Sequence, residues 1–173
     1  MKSLIATICI LGTVGLAIGV TVWAGDNFDV TCTITPVLVA INRTAGDGGI
    51  AYGNVGLSGT KNSGPGDLAD VETYQNNGSA AELFRVKTST ATGGATPWTV
   101  GGTIDTDVFV HSFATTTGLT WQILNVADTY ETASSSVAVD ATVDFYFKID
   151  TPSGTTVYAA KTITVNIQAI EAP

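Results

Sequence analysis

Apolar and polar residues alternate with period two along much of this chain, the pattern of strands buried on one face. The clearest run is Val143-Asp144-Phe145-Tyr146-Phe147-Lys148-Ile149-Asp150. Val143, Phe145, Phe147 and Ile149 share one face, and Asp144, Tyr146, Lys148 and Asp150 the other. A second run closes the chain, with Ile163, Val165, Ile167 and Ala169 facing one way and Thr162, Thr164, Asn166 and Gln168 the other. Between the two lies Thr151-Pro152-Ser153-Gly154, in which Pro sets φ and Gly permits a positive φ. The two runs are therefore expected to form a hairpin-like C-terminal unit. Further strands are expected over 28–35, 37–41, 50–57, 71–74, 82–88, 98–100, 107–113, 120–124 and 136–139. Turn formers separate them, among them Gly46-Asp47-Gly48-Gly49, Asn62-Ser63-Gly64-Pro65-Gly66 and Asn76-Asn77-Gly78. Residues after 24 carry no sustained helical period. Short strands with this punctuation predict an all-β antiparallel sandwich or barrel rather than a parallel α/β sheet.

The first 24 residues break the alternation. Met1-Lys2-Ser3 supplies a positive start, and the run over 4–22 is apolar apart from Thr, Gly and Cys9. It is read as an N-terminal apolar helix. Val22 and Ala24 suit the −3 and −1 pockets of a signal peptidase, so cleavage is expected after Ala24. About 19 apolar residues would also nearly span a bilayer, which makes a retained membrane anchor the alternative. In that case Gly15 and Gly19 form a small-residue helix-packing motif. In both cases Lys2 stays inside, and residues 25–173 form a single domain outside, secreted or on the cell surface. Cys9 lacks the context of a lipoprotein site. Cys32 is then the one cysteine of the exported part, on the face of Val30 and Ile34, and reads as a small buried apolar side chain.

Composition sharpens this picture. The chain is 45% hydrophobic and 13% charged, the balance of a folding domain and the opposite of a disordered one. The roughly 150 residues beyond the leader are enough to bury a core without metals or several disulfides. A formal net charge of −8 disfavours nucleic acid and anionic membrane surfaces as partners, because both need clustered Lys and Arg. Contact with a membrane is expected only through an uncleaved N-terminal segment.

The segment Tyr74-Gln75-Asn76-Asn77-Gly78-Ser79-Ala80-Ala81-Glu82 resembles the strand–turn–strand of immunoglobulin-like modules in prokaryotic secreted and cell-surface proteins. Pro97-Trp98-Thr99-Val100, Asp107-Val108-Phe109-Val110 and Leu119-Thr120-Trp121 are similar to the same modules, as is the ending from Phe145 to Val165. The resemblance covers roughly residues 71–169. It implies an immunoglobulin-like sandwich on a cell surface, in a surface layer or in a filament. The Trp-x-aliphatic pair also resembles WxL wall-binding domains, but Val100 and Ile123 stand where those carry Leu, so peptidoglycan binding is not carried over.

The inventory for catalysis is thin. His111 is the single histidine, on the face of Phe109 and Phe113, and is expected to pack rather than to act as a base. No Gly-x-Ser-x-Gly is present, and one His with one Cys cannot complete a tetrahedral zinc site without carboxylates. The protein is therefore expected not to be an enzyme. Asp105-Thr106-Asp107 comes closest to a cation motif, and Ca²⁺ is the ion that Asp105 and Asp107 would share with loop carbonyls. Gly66-Asp67-Leu68-Ala69-Asp70 is similar, and solvated loop acids are the plainer reading of both. Asn42 and Asn77 begin glycosylation sequons, both in expected turns.

Two functions follow as expectations. One is a structural or assembly subunit of a surface layer, fibre or matrix, joining copies of itself or other cell-surface proteins. In a sharper form, residues 28–41 would add as a strand to a neighbour's sheet edge, against the plainer reading of an ordinary first strand. The other is a binding module for carbohydrate or protein at the sandwich end. Trp98 and Trp121 would be its stacking residues, although their contexts favour core packing.

Overall fold

The structure, a computed structural model, describes the backbone of 7–11, 17–22 and 28–33, and the whole of 38–116 and 118–173. The chain divides into two compact units, Met1–Val37 and Leu38–Pro173. In the first, β1 (Thr7–Leu11), β2 (Ala17–Val22) and β3 (Phe28–Thr33) form an antiparallel meander. Cys9 lies opposite Gly19, and Ile18 opposite Cys32. The apolar helix expected over the first 24 residues falls partly outside the described residues. Where the backbone is described it is extended, in segments whose Thr, Ile and Val carry the branched Cβ that suits a strand. The cleavage position after Ala24 lies outside the described residues. Among the described residues there is no helix.

The second unit is a β-sandwich. Its strands are β4 (Ile41–Ala45), β5 (Thr60–Asn62), β6 (Glu72–Asn76), β7 (Glu82–Thr88), β8 (Thr99–Val100), β9 (Val108–Ala114), β10 (Gln122–Ile123), β11 (Glu131–Val137), β12 (Thr142–Asp150) and β13 (Val165–Glu171). The larger sheet runs β10-β9-β12-β6-β4, with β5 paired to β12 and β8 lying parallel to β9. The smaller sheet runs β11-β7-β13. Along one side of β12, β6 pairs with 142–145 and β5 with 148–150. Ser63 fills the gap between them: its N–H donates to the Phe147 carbonyl at 2.8 Å, and its Oγ accepts the Phe147 N–H at 3.0 Å.

The period-two pattern put the right residues on the inner face and chose the wrong neighbours. β12 and β13 do not form the expected hairpin. β12 is central in the larger sheet, and β13 pairs with β7 in the smaller one. The Thr151–Gly154 cluster turns the chain, but the long connection beyond it carries β13 across to the facing sheet. There the apolar face of β13 meets the apolar face of β12 instead of lying beside it. Tyr146, placed by alternation on the polar face, is 4% exposed. The strand expected over 37–41 forms later, as β4. Residues 50–57 join no ladder, although Ile50 and Tyr52 pack on the core. β5 arises partly inside an expected separator.

Phe84 and Val86 of β7, Val137 of β11 and Ala169 of β13 pack against Phe113, Phe145 and Phe147 of the larger sheet. A smaller cluster holds Ala91, Phe109 and Ile149. Burying a Phe side chain contributes ~2–3 kcal/mol, so these residues dominate the sandwich energetics. His111 lies between the two clusters, its ring stacked 5.7 Å from that of Phe147.

Candidate functional site

The inner face of β13 is apolar, yet Ile163, Val165 and Ile167 are only half-buried. They line a cavity of about 130 Å³ whose opposite wall carries His111 and Phe147. At its rim stand the Gly48–Ile50 segment, Tyr52, Glu72 and Tyr74.

Glu72 stands on the core face by register. It lies directly opposite Phe145 in the β6–β12 ladder, so its side chain points where an apolar residue is usual. It is 4% exposed. Its Oε1 accepts the Gly48 N–H at 2.9 Å, while its buried Oε2 has no hydrogen-bond partner among the described residues. The nearest cation, Arg43 Nη1, is 3.8 Å from Oε2, and the Arg43 side chain is 41% exposed. The glycine loop after β4 closes over this carboxylate. Gly46 has φ of 88°, which strains any other residue, and a Cβ there would lie 2.5 Å from Glu72 Cδ and Oε1, so the Glu72 carboxylate would have to shift. Asp47, at the loop tip, accepts the Gly49 N–H at 2.9 Å. Asp70 is held just before β6 by its own N–H, which donates to the Ser63 carbonyl at 2.8 Å.

These three acids converge. Asp47, Asp70 and Glu72 each place a carboxylate oxygen within 4.8 Å of the others. Their field reaches the neighbouring phenols. Burial, and then Asp70, push the Tyr52 hydroxyl well above its ordinary range; burial, and then Glu72, raise that of Tyr74. Beneath, burial lowers the His111 pKa to about 4, so the imidazole is neutral at physiological pH. The arrangement offers a set of oxygen ligands.

Asp105 and Asp107 belong to a different place, the turn into β9. Asp105 Oδ1 accepts the Thr106 N–H at 2.7 Å, and Asp107 Oδ1 accepts the Thr155 hydroxyl at 2.6 Å. Neither belongs to the acidic group gathered among the described residues. Asp67 pairs with Lys61 Nζ at 2.7 Å, and this contact holds its carboxyl below the ordinary range. Asn42 is exposed on β4 rather than in a turn, and Asn77 is exposed in the loop after β6. Asp47 was legible only as part of a glycine-rich turn, and Glu72 only as the start of a strand. Nothing local links residues 25 positions apart in the chain.

Trp98 and Trp121 are both half-buried. Trp98 packs on the smaller cluster and donates Nε1–H to Thr155 Oγ1 at 3.2 Å, with Lys161 Nζ 5.3 Å from its ring centroid. Trp121 lines an open groove of about 420 Å³ with Ile123, Ser112, Lys148 and Asp150. Lys148 Nζ stands 5.8 Å from its ring, and the buried Ser112 Oγ has no partner among the described residues.

No protein-family model, no curated protein and no solved structure matches this chain.

Proposed function

We propose that this is a non-enzymatic structural or assembly protein of the extracellular cell surface. In this reading the first 24 residues are an export segment, cleaved after Ala24 or kept as an anchor. The remainder is an immunoglobulin-like sandwich that joins copies of itself or other surface proteins.

The observation that carries the reading is the outer edge of β13. Long flat edges invite pairing with another chain, and proteins usually blunt them. Here β10 has two residues, and the ladders of β11 and β4 contain register shifts. β13 pairs with β7 through seven consecutive residues without a shift or a proline. The Thr164 carbonyl accepts the Ser89 N–H at 2.9 Å, and the Ala172 N–H donates to Ala81 at 3.1 Å, so even-numbered residues face β7. Val165, Ile167 and Ala169 therefore aim their backbone groups outward, where no strand pairs with them among the described residues. The donor we assign is the apolar, β-prone stretch 28–41 of a neighbouring copy, in the strand-addition mode.

Electron microscopy and sedimentation of the purified exported protein test this. Filaments, lattices or defined oligomers are expected, and deletion of residues 25–35 should abolish them. The variant Val165→Pro should weaken them by removing one outward N–H while leaving the β7 ladder intact. Monodisperse monomers from the wild type would overturn the reading.

The Trp121 groove favours a second reading, a carbohydrate-binding module, since sugars stack on half-exposed indoles. Protection of Trp121 from a water-soluble fluorescence quencher in the absence of ligand would remove it.

A further inference from the structure

We propose that Asp47, Asp70 and Glu72 form a calcium site that ties the glycine loop after β4 to the start of β6. Two independent features meet there. The three carboxylates come from separate parts of the chain, yet their oxygens lie within 4.8 Å of one another. Oxygens bound to one Ca²⁺ at 2.3–2.6 Å are separated by at most about 5 Å, so the trio is close enough to share one ion. Separately, Glu72 Oε2 is buried without a hydrogen-bond partner among the described residues. A carboxylate in that position is costly unless a cation compensates it.

Arg43 supplies part of that compensation. Its Nη1 is 3.8 Å from Oε2, beyond hydrogen-bond reach, and one guanidinium faces three carboxylates. The trio therefore keeps an anionic excess. The donor set is all oxygen, without imidazole or thiolate, and so selects a hard cation over zinc or copper. Magnesium prefers about 2.1 Å and strict octahedral geometry. Calcium tolerates irregular coordination, completed by water and by carbonyls of the glycine loop. Sites in extracellular modules commonly bind with Kd of about 10⁻⁴–10⁻³ M, the range expected here if the domain is exported as proposed above.

The full-length protein, stripped with a chelator, should show a saturable rise in Tm as calcium is added, with a smaller response to magnesium. Terbium should bind with luminescence sensitised by Tyr52 and Tyr74. Asp47→Asn and Asp70→Asn should each weaken calcium binding at least tenfold while leaving the calcium-free Tm within a few degrees of wild type. Glu72→Gln should lose the calcium response and be no less stable than the stripped wild type, because it removes a buried charge that Arg43 compensates only in part. No calcium-dependent change up to several millimolar would overturn the site. So would a wild-type response in the two Asp variants, which would mark nonspecific screening. Neither outcome bears on self-assembly, which is read by sedimentation.

Discussion

Thr88 Oγ1 and His111 Nδ1 lie 2.8 Å apart, a buried hydrogen bond that joins β7 of the smaller sheet to β9 of the larger. On the other side of the ring, His111 Nε2 is 3.4 Å from the Tyr52 hydroxyl. A neutral imidazole donates from one ring nitrogen and accepts at the other, so either tautomer bonds both hydroxyls, and Thr88 Oγ1 also faces the Ser89 carbonyl at 3.5 Å. A neutral imidazole satisfies every member of that chain.

Stability should therefore fall on acidification between pH 6.5 and 4. The folded pKa of about 4 lies below the ordinary 6.5, so in this window the unfolded chain binds the proton and the folded one does not. The contribution is fully present above pH 6.5 and is lost as pH falls to about 4, on the order of 3 kcal/mol. Urea denaturation at pH 7, 6 and 5 measures the slope, and His111→Asn should flatten it. An equal slope in the variant would assign the effect to other groups.

Asn76, read in the sequence as part of a turn, is fully buried and bridges three segments. Its Nδ2 donates to Val137 and Ala80 carbonyls, each at 2.8 Å, and its Oδ1 accepts the Gly78 N–H at 2.8 Å. Asn76→Ala strands these groups away from water. A loss of about 2–3 kcal/mol is expected in chemical denaturation, against well under 1 kcal/mol for Asn77→Ala on the exposed side of the same turn.

Gly46→Ala should destabilise the protein by ~1–3 kcal/mol, since it combines a positive φ with a Cβ placed against the Glu72 carboxylate. Adding Glu72→Ala removes the collision but not the backbone strain. The double variant should therefore recover part of the Tm lost in the single one. Full additivity would show that the loop relaxes away from Glu72.

Phe145→Ala should cost ~3–5 kcal/mol by opening a cavity where β12 faces β7. Phe145→Leu should cost less than half of that. Equal losses in the two would mean that ring geometry, including the 5.8 Å edge contact with Tyr74, matters more than volume.

The residues themselves determine the all-β class, most strand positions and the inner faces of β12 and β13. These depend on a two-residue period and on turn chemistry, which are local properties of the backbone. His111 was likewise legible as a packed residue, because Phe109 and Phe113 flank it at the same period. Partner choice was not legible. Local alternation says which side chains turn inward and nothing about which strand lies alongside, so β12 and β13 read as a hairpin although they face each other across the core. Burial of Tyr146 on the polar face was hidden for the same reason. The acidic cluster is the extreme case. Asp47, Asp70 and Glu72 were ordinary loop and strand acids until the β6–β12 register turned Glu72 inward beside Phe145 and the glycine loop folded over it. Only tertiary structure decides such a site, because electrostatic convergence depends on distances through space, not on spacing along the chain.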